Sequence, residues 1–335
     1  MVQGSTALTQ MLSTSARHVD DGRTCQSGLK TDYISYSIMA TRSLRQLLSE
    51  RVQPRKEVIV AILAFAAFAN LISDADLINI HLEGLSLALR PYGGVVAMDS
   101  APAIRMMIYW IDLNGAYLQD RTPRYLQPHQ ILSLLGGYNS AISSTISYSS
   151  GGNILEDSAI MRLCASIRQA NCLIEAGFAA TGEIYWDNAL FPGLHVSPIL
   201  HDLLSLPRAL ANSDNRFRQR ECFRLAAIIY LGEVNKNFGV SQTHAMLYAQ
   251  KLRMLLTSPG MIPSWGAGTP FLLWTLVVAA ASSNLDRSLS LQLRQVLAVC
   301  LQHAEIRDPS YLVSLISNFL WCDAVFGTSL SVLAK

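Results

Sequence analysis

The chain is poor in the features that usually announce a chemistry. It has six cysteines, Cys25, Cys164, Cys172, Cys222, Cys300 and Cys322, and none forms a Cys-x2-Cys pair. Without clustered ligands there is no metal site to expect, and scattered thiols on apolar helix faces fit a reduced, intracellular protein. Charge is scarce at 15% of residues, against 50% hydrophobic. That balance excludes a disordered chain and a coiled coil. The net charge of +2 and pI of about 8.2 lack the basic excess of a dedicated nucleic-acid binder. The longest apolar runs, Val58–Ala69 and Phe271–Ala281, fall short of the roughly 20 residues that span a bilayer. The first residues have no apolar core of the kind a secretory signal needs. The expectation is a soluble protein with no membrane segment. GxSxG, HExxH, GxGxxG and P-loop patterns are all missing, so no cofactor is called for.

What the chain does have is helical periodicity. Ile78, Leu82, Leu85 and Leu89 fall on one stripe, with Asp74 and Asp76 at its start and Pro91 at its stop. Gly93-Gly94 allows a corner, after which Asp99 or Ser100 is a candidate cap and Pro102 a first-turn residue. Ile104, Met107, Ile108 and Ile111 make the next stripe. Helices are further predicted from Tyr33, Glu57, Gln130, Leu155, Pro198, Phe217, Ser241, Phe271, Asp286 and Asp308. In the helix from Asp286, Leu289, Leu293, Val296, Leu297 and Cys300 are expected to face inward. Gly182 to Val196 reads as an irregular loop. The fold class is therefore all-α, an irregular multi-helix bundle of roughly ten helices with no significant sheet. Residues 1–30, rich in Ser, Thr and Gly, are expected to be disordered, and residues 31–335 to form the helical body, with a Ser/Gly-rich loop near 136–153.

Several ordered motifs carry a family resemblance: His81-Leu82-x-Gly84-Leu85, Gly93-Gly94, Trp110-x-Asp112 with Ala116, and Pro123-x-Tyr125. Further on come Glu221-Cys222-x3-Ala226-x2-Ile229-Tyr230-Leu231, Leu272-Leu273-Trp274-x-Leu276 and Phe319-Leu320-Trp321-x-Asp323. Together they resemble the regulatory domain of fungal-specific transcription factors, the helical region of zinc binuclear cluster proteins, from about residue 30 onward. The resemblance implies an all-α fold, a role in transcription regulation, residence in the nucleus or cytoplasm, and a setting such as secondary metabolism. The family's zinc cluster, with its Cys-x2-Cys-x6-Cys spacing, has no counterpart here, and about 30 residues precede the first predicted helix. Direct DNA reading is therefore not expected. A protein partner, a homodimer or an apolar small molecule is.

Two sets of residues are candidates for function. His81, Trp110, Tyr117, Tyr230, Trp274, Phe319 and Trp321 could line an apolar pocket, with core packing as the competing role. Asp112, Asp120 and Asp323 are candidate acids if the domain has been recruited as a cyclase- or isomerase-like biosynthetic enzyme; capping and pairing are the competing roles. The balance favours a non-enzyme with no catalytic residue. The basic stretches Arg55-Lys56 and Arg216 to Arg224 read as solvated helix faces.

Overall fold

A computed structural model describes residues 6, 10, 35, 38–46, 56–137, 154, 157–208, 214–240, 245–282, 285–327 and 329–330. Most of the 1–30 segment, residues 138–153, Tyr33, Arg55, Ser241 and Asn284 lie outside the described residues, and with them the expectations that fall there. The described chain is all-α, with no strand among the described residues. It forms two compact units, Met1–Ile131 and Leu132–Lys335.

In the first unit, α1 (Lys56–Leu71) is apolar on nearly every side and packs on α2 (Ala75–Leu89). Ser73 turns between them in the left-handed region, φ 55°. Asp74 then caps α2 by accepting the Leu77 N–H at 2.9 Å, as a carboxylate before a helix should. Ile78, Leu82, Leu85 and Leu89 are buried, each contributing roughly 1.5 to 3 kcal/mol. Pro91 ends the α-helix in a 3-10 turn, and Gly93 and Gly94, φ 88° and 97°, make the corner. Neither Asp99 nor Ser100 caps α3 (Pro102–Gln119). Residues Val95–Ser100 form a 3-10 helix, Ala101 occupies the cap position, and Asp99 instead binds the buried Arg105 at 3.0 Å. The aspartate is drawn away because Arg105 would otherwise be a buried cation without its partner. Gly115 brings α3 close to α2: a Cβ there would lie 2.7 Å from Cγ2 of Ile78. Asn70 of α1 donates to the Ile111 carbonyl at 3.1 Å, tying α1 to α3. The division between units falls within the short helix α4 (His129–Leu134).

The second unit is built around α7 (Asn215–Asn237), which is buried on all sides from Gln219 to Asn235. Before it come α5 (Ser158–Thr181) and α6 (Ser197–Ser205), and after it α8 (Ala245–Leu256) and α9 (Thr269–Ala281). Next follow α10 (Arg287–His303), α11 (Pro309–Leu320) and the short α12 (Asp323–Phe326). Asp157, Asp214, Asp286 and Asp308 cap α5, α7, α10 and α11 through backbone N–H groups. The Arg216–Arg224 stretch is not a solvated face. Arg224 is wholly buried and holds Glu221 through two hydrogen bonds of 2.8 and 2.6 Å. Arg220 reaches Asp157 at 2.9 and 2.6 Å. Paired, hydrogen-bonded charges can sit in a core; the sequence of α7 alone does not reveal a partner 63 residues away.

Gly182 to Val196 is not a plain loop either. A 3-10 helix, Gly182–Asp187, and a π-helical turn, Pro192–Val196, lead into α6. The reason is aromatic packing: Phe191 stacks on Phe238 at 4.7 Å, and Trp186 meets Phe238 edge-on at 5.0 Å. The 19-residue stretch Pro263–Ala281, kinked at Gly266, is long and apolar enough to cross a membrane by length and composition. In this fold it is mostly buried, with α9 packed against α7, α10 and α11.

Candidate functional site

The residues singled out in the sequence fall into two constellations, one in each unit. In the first, Asp112 emerges from α3 with 1% of its surface exposed. Its Oδ2 accepts the backbone N–H groups of Arg124 and Tyr125 at 2.6 and 2.9 Å, and Oδ1 faces Arg121 at 3.5 Å. The Tyr125 hydroxyl shares a hydrogen bond with Ser86 of α2 at 2.8 Å, and Asn79 of α2 donates to Gln119 at 2.8 Å. The carboxylate thus fastens the segment after α3 back onto the α2–α3 hairpin. Burial lowers the Arg121 pKa, with Asp112 opposing, and burial raises that of Tyr125. Two backbone donors and a guanidinium hold the Asp112 charge, so the arrangement suits bracing rather than proton transfer.

Asp120 ends α3 in the left-handed conformation, φ 49°, and its backbone N–H returns to the helix. His81 lies half-buried with its ring 5.6 Å from that of Phe65, and burial lowers its pKa. Tyr117 is buried, while Trp110 is half-buried. These three belong to the first unit.

The remaining aromatics converge in the second unit. Tyr230 of α7 meets Trp274 of α9 at 5.8 Å, Trp274 meets Phe319 of α11 at 5.9 Å, and Phe326 bridges Tyr230 and Trp321 at 5.0 and 4.5 Å. Asn171 of α5 ties them together: it accepts the Tyr230 hydroxyl at 2.9 Å and donates to the Trp321 carbonyl at 3.3 Å. The Trp274 indole donates to the Leu320 carbonyl. Tyr230 and Trp274 are completely buried, and burial lifts the Tyr230 pKa well above its ordinary value. Ring contacts of this kind, with the Tyr230 and Trp274 tips bonded and the buried Trp321 indole N–H without an acceptor among the described residues, are those of a packed core. Asp323 is exposed at the first turn of α12. Beside it, Glu175 accepts the Ala324 N–H at 3.1 Å and pairs with the buried Cys322 thiol, whose pKa is raised by burial.

The buried thiols are poor nucleophiles as placed: burial pushes Cys164 and Cys300 up to about 12. Among the described residues no group of three or more His, Cys, Asp or Glu could hold a metal ion.

A feature without any motif lies elsewhere in the second unit. A groove of about 540 Å³ runs between the end of α8, the 258–263 turn and α10, with Arg253, Leu256 and Val296 in its lining. Val296 therefore faces this groove, half-buried, and not the interior. Three short segments supply the lining, and no fixed spacing links them. The one local signal is Val296 with Val299, an i,i+3 apolar pair on the outer side of α10.

A scan of protein-family models, a search of curated proteins and a search of solved structures each found no match to the chain.

Proposed function

We propose that this chain is a transcription-regulator-like helical protein that acts by binding a protein partner or a small metabolite, in the nucleus or cytoplasm, and not by reading DNA itself. One observation carries the reading. The motifs on which the family resemblance rests meet one another physically. Trp110-x-Asp112 is hydrogen-bonded to Pro123-x-Tyr125 through the Asp112 carboxylate. The Trp274 motif is bonded to the Phe319-Leu320-Trp321 motif through the indole N–H; Tyr230 of the central helix packs on Trp274 and is linked through Asn171 to the Trp321 carbonyl. Residues that stand out in sequence are occupied in holding the fold, which supports a helical scaffold over a catalyst.

Tethering the full chain to a heterologous DNA-binding module upstream of a reporter tests the proposal, together with the location of the tagged protein in cells. A change in reporter output with nuclear signal is expected. A silent reporter at full expression, or turnover of a substrate by the purified protein, would overturn it.

A further inference from the structure

Among the described residues the groove beside α8 has one ionisable side chain in its lining, Arg253, and that side chain is a cation. Its guanidinium makes no hydrogen bond or ion pair to any described residue. Leu256, Ile262, Pro263, Val296 and Val299 form apolar walls, and the exposed amides of Gln292 and Gln295 complete the rim. Among the described residues no acid lines the groove. Its volume of about 540 Å³ falls within the range of roughly 300 to 1,000 Å³ that small-molecule sites occupy. Val299, 56% exposed, is an apolar surface that a ligand would cover.

The geometry points to a binding site for a small apolar molecule bearing a carboxylate, its tail along the Leu256–Val296–Val299 wall and its carboxylate on Arg253. The C-terminus of α8 acts the other way, since helix C-termini carry about half a negative charge. Here the nearest carbonyls are already quenched. The Arg253 carbonyl accepts both the N–H and the hydroxyl of Thr257, at 3.0 and 2.9 Å, and the Leu255 carbonyl both those of Ser258, at 3.1 and 2.5 Å. A full guanidinium charge therefore decides the sign of the site. A planar carboxylate also matches the guanidinium fork in a way a neutral head group does not.

This inference rests on the metabolite-binding half of the function proposed above. Isothermal titration of the full chain tests it with three ten-carbon probes: decanoate, 1-decanol and decyltrimethylammonium. Decanoate is expected to bind one to one, decanol more weakly, and the cation not at all. R253Q should weaken decanoate by about tenfold, the scale of one charge-assisted contact, and leave decanol unchanged. Q295E should also weaken decanoate, by setting a carboxylate in the rim. Arg253 is half-exposed and Gln295 exposed, so neither variant threatens the fold. Failure of the wild-type chain to bind decanoate, equal binding of all three probes, or R253Q binding decanoate as well as wild type would each overturn the site. Decanoate binding with a silent reporter would keep the site and remove the regulator. An active reporter without decanoate binding would do the reverse.

Discussion

Replacing Asp112 with alanine removes the acceptor that joins α3 to the segment after it. In the folded protein Oδ2 receives two backbone N–H groups at 2.6 and 2.9 Å, from a site 1% exposed. Hydrogen bonds to a charged group contribute about 1.5 to 3 kcal/mol each, and leaving their donors buried adds a desolvation cost. Arg121, itself partly buried, would lose its counter-charge at 3.5 Å. The expected destabilisation of D112A is therefore about 3 to 5 kcal/mol, a large share of the 5 to 15 kcal/mol by which most folded proteins are stable. D112N keeps an acceptor oxygen but not the charge, and should lose only about 1 to 2 kcal/mol. Trp110 is the only tryptophan before residue 186, so selective excitation of variants lacking the later tryptophans reports on the first unit. Denaturant titration gives the free energies, and hydrogen exchange at the Arg124 and Tyr125 amides gives the local effect. If D112A were within about 0.5 kcal/mol of wild type, or if D112N were as damaging as D112A, the bracing role would be refuted. A loss of enzymatic turnover with unchanged stability would refute it too.

Further outcomes follow from the packing. R220M should cost about 3 kcal/mol, because it strands the Asp157 carboxylate in a core position; thermal melts of the second unit check this. G115A should cost about 1 to 3 kcal/mol by forcing a methyl against Ile78, and measurably less in an I78A background, where the opposing Cγ2 is gone; a double-mutant cycle reads the difference. Burial lowers the pKa values of His81 and His195, with Asp74 partly opposing at His81. The folded rings resist protonation, so their contribution is fully present above the unfolded value of about 6.5 and is lost as pH falls below it. The melting temperature should therefore drop on acidification from pH 7.5 to 5, and drop less in the H81Q and H195Q variants.

How much of this could be read beforehand depends on whether the information is local. The α2 stripe and the helix starts at Asp74, Asp286 and Asp308 needed only neighbours three or four residues away, and all are in place, with each aspartate serving as the cap of its helix. Asp99 was legible as a cap by the same local rule, yet it serves Arg105, because a buried cation outbids a free N–H group at a helix start. The buried run of α7 contradicts its own composition, since Arg220 finds Asp157 only after the chain has folded. The candidate aromatics were visible as residue types, but their division between two units was not, because nothing local marks Ile131 as a boundary. The groove was least visible of all: its walls come from three segments with no common spacing.

The apolar stretch Pro263–Ala281 has a bearing on how the protein is made. Helix α7 precedes it in the chain, so the central helix leaves the ribosome first and is present when the greasy segment emerges. A version cut between the two would release 19 residues fit for a bilayer with no surface to receive them, and such segments aggregate or stray into membranes. Soluble expression should thus survive trimming from the carboxyl end back beyond α9 better than loss of everything before it.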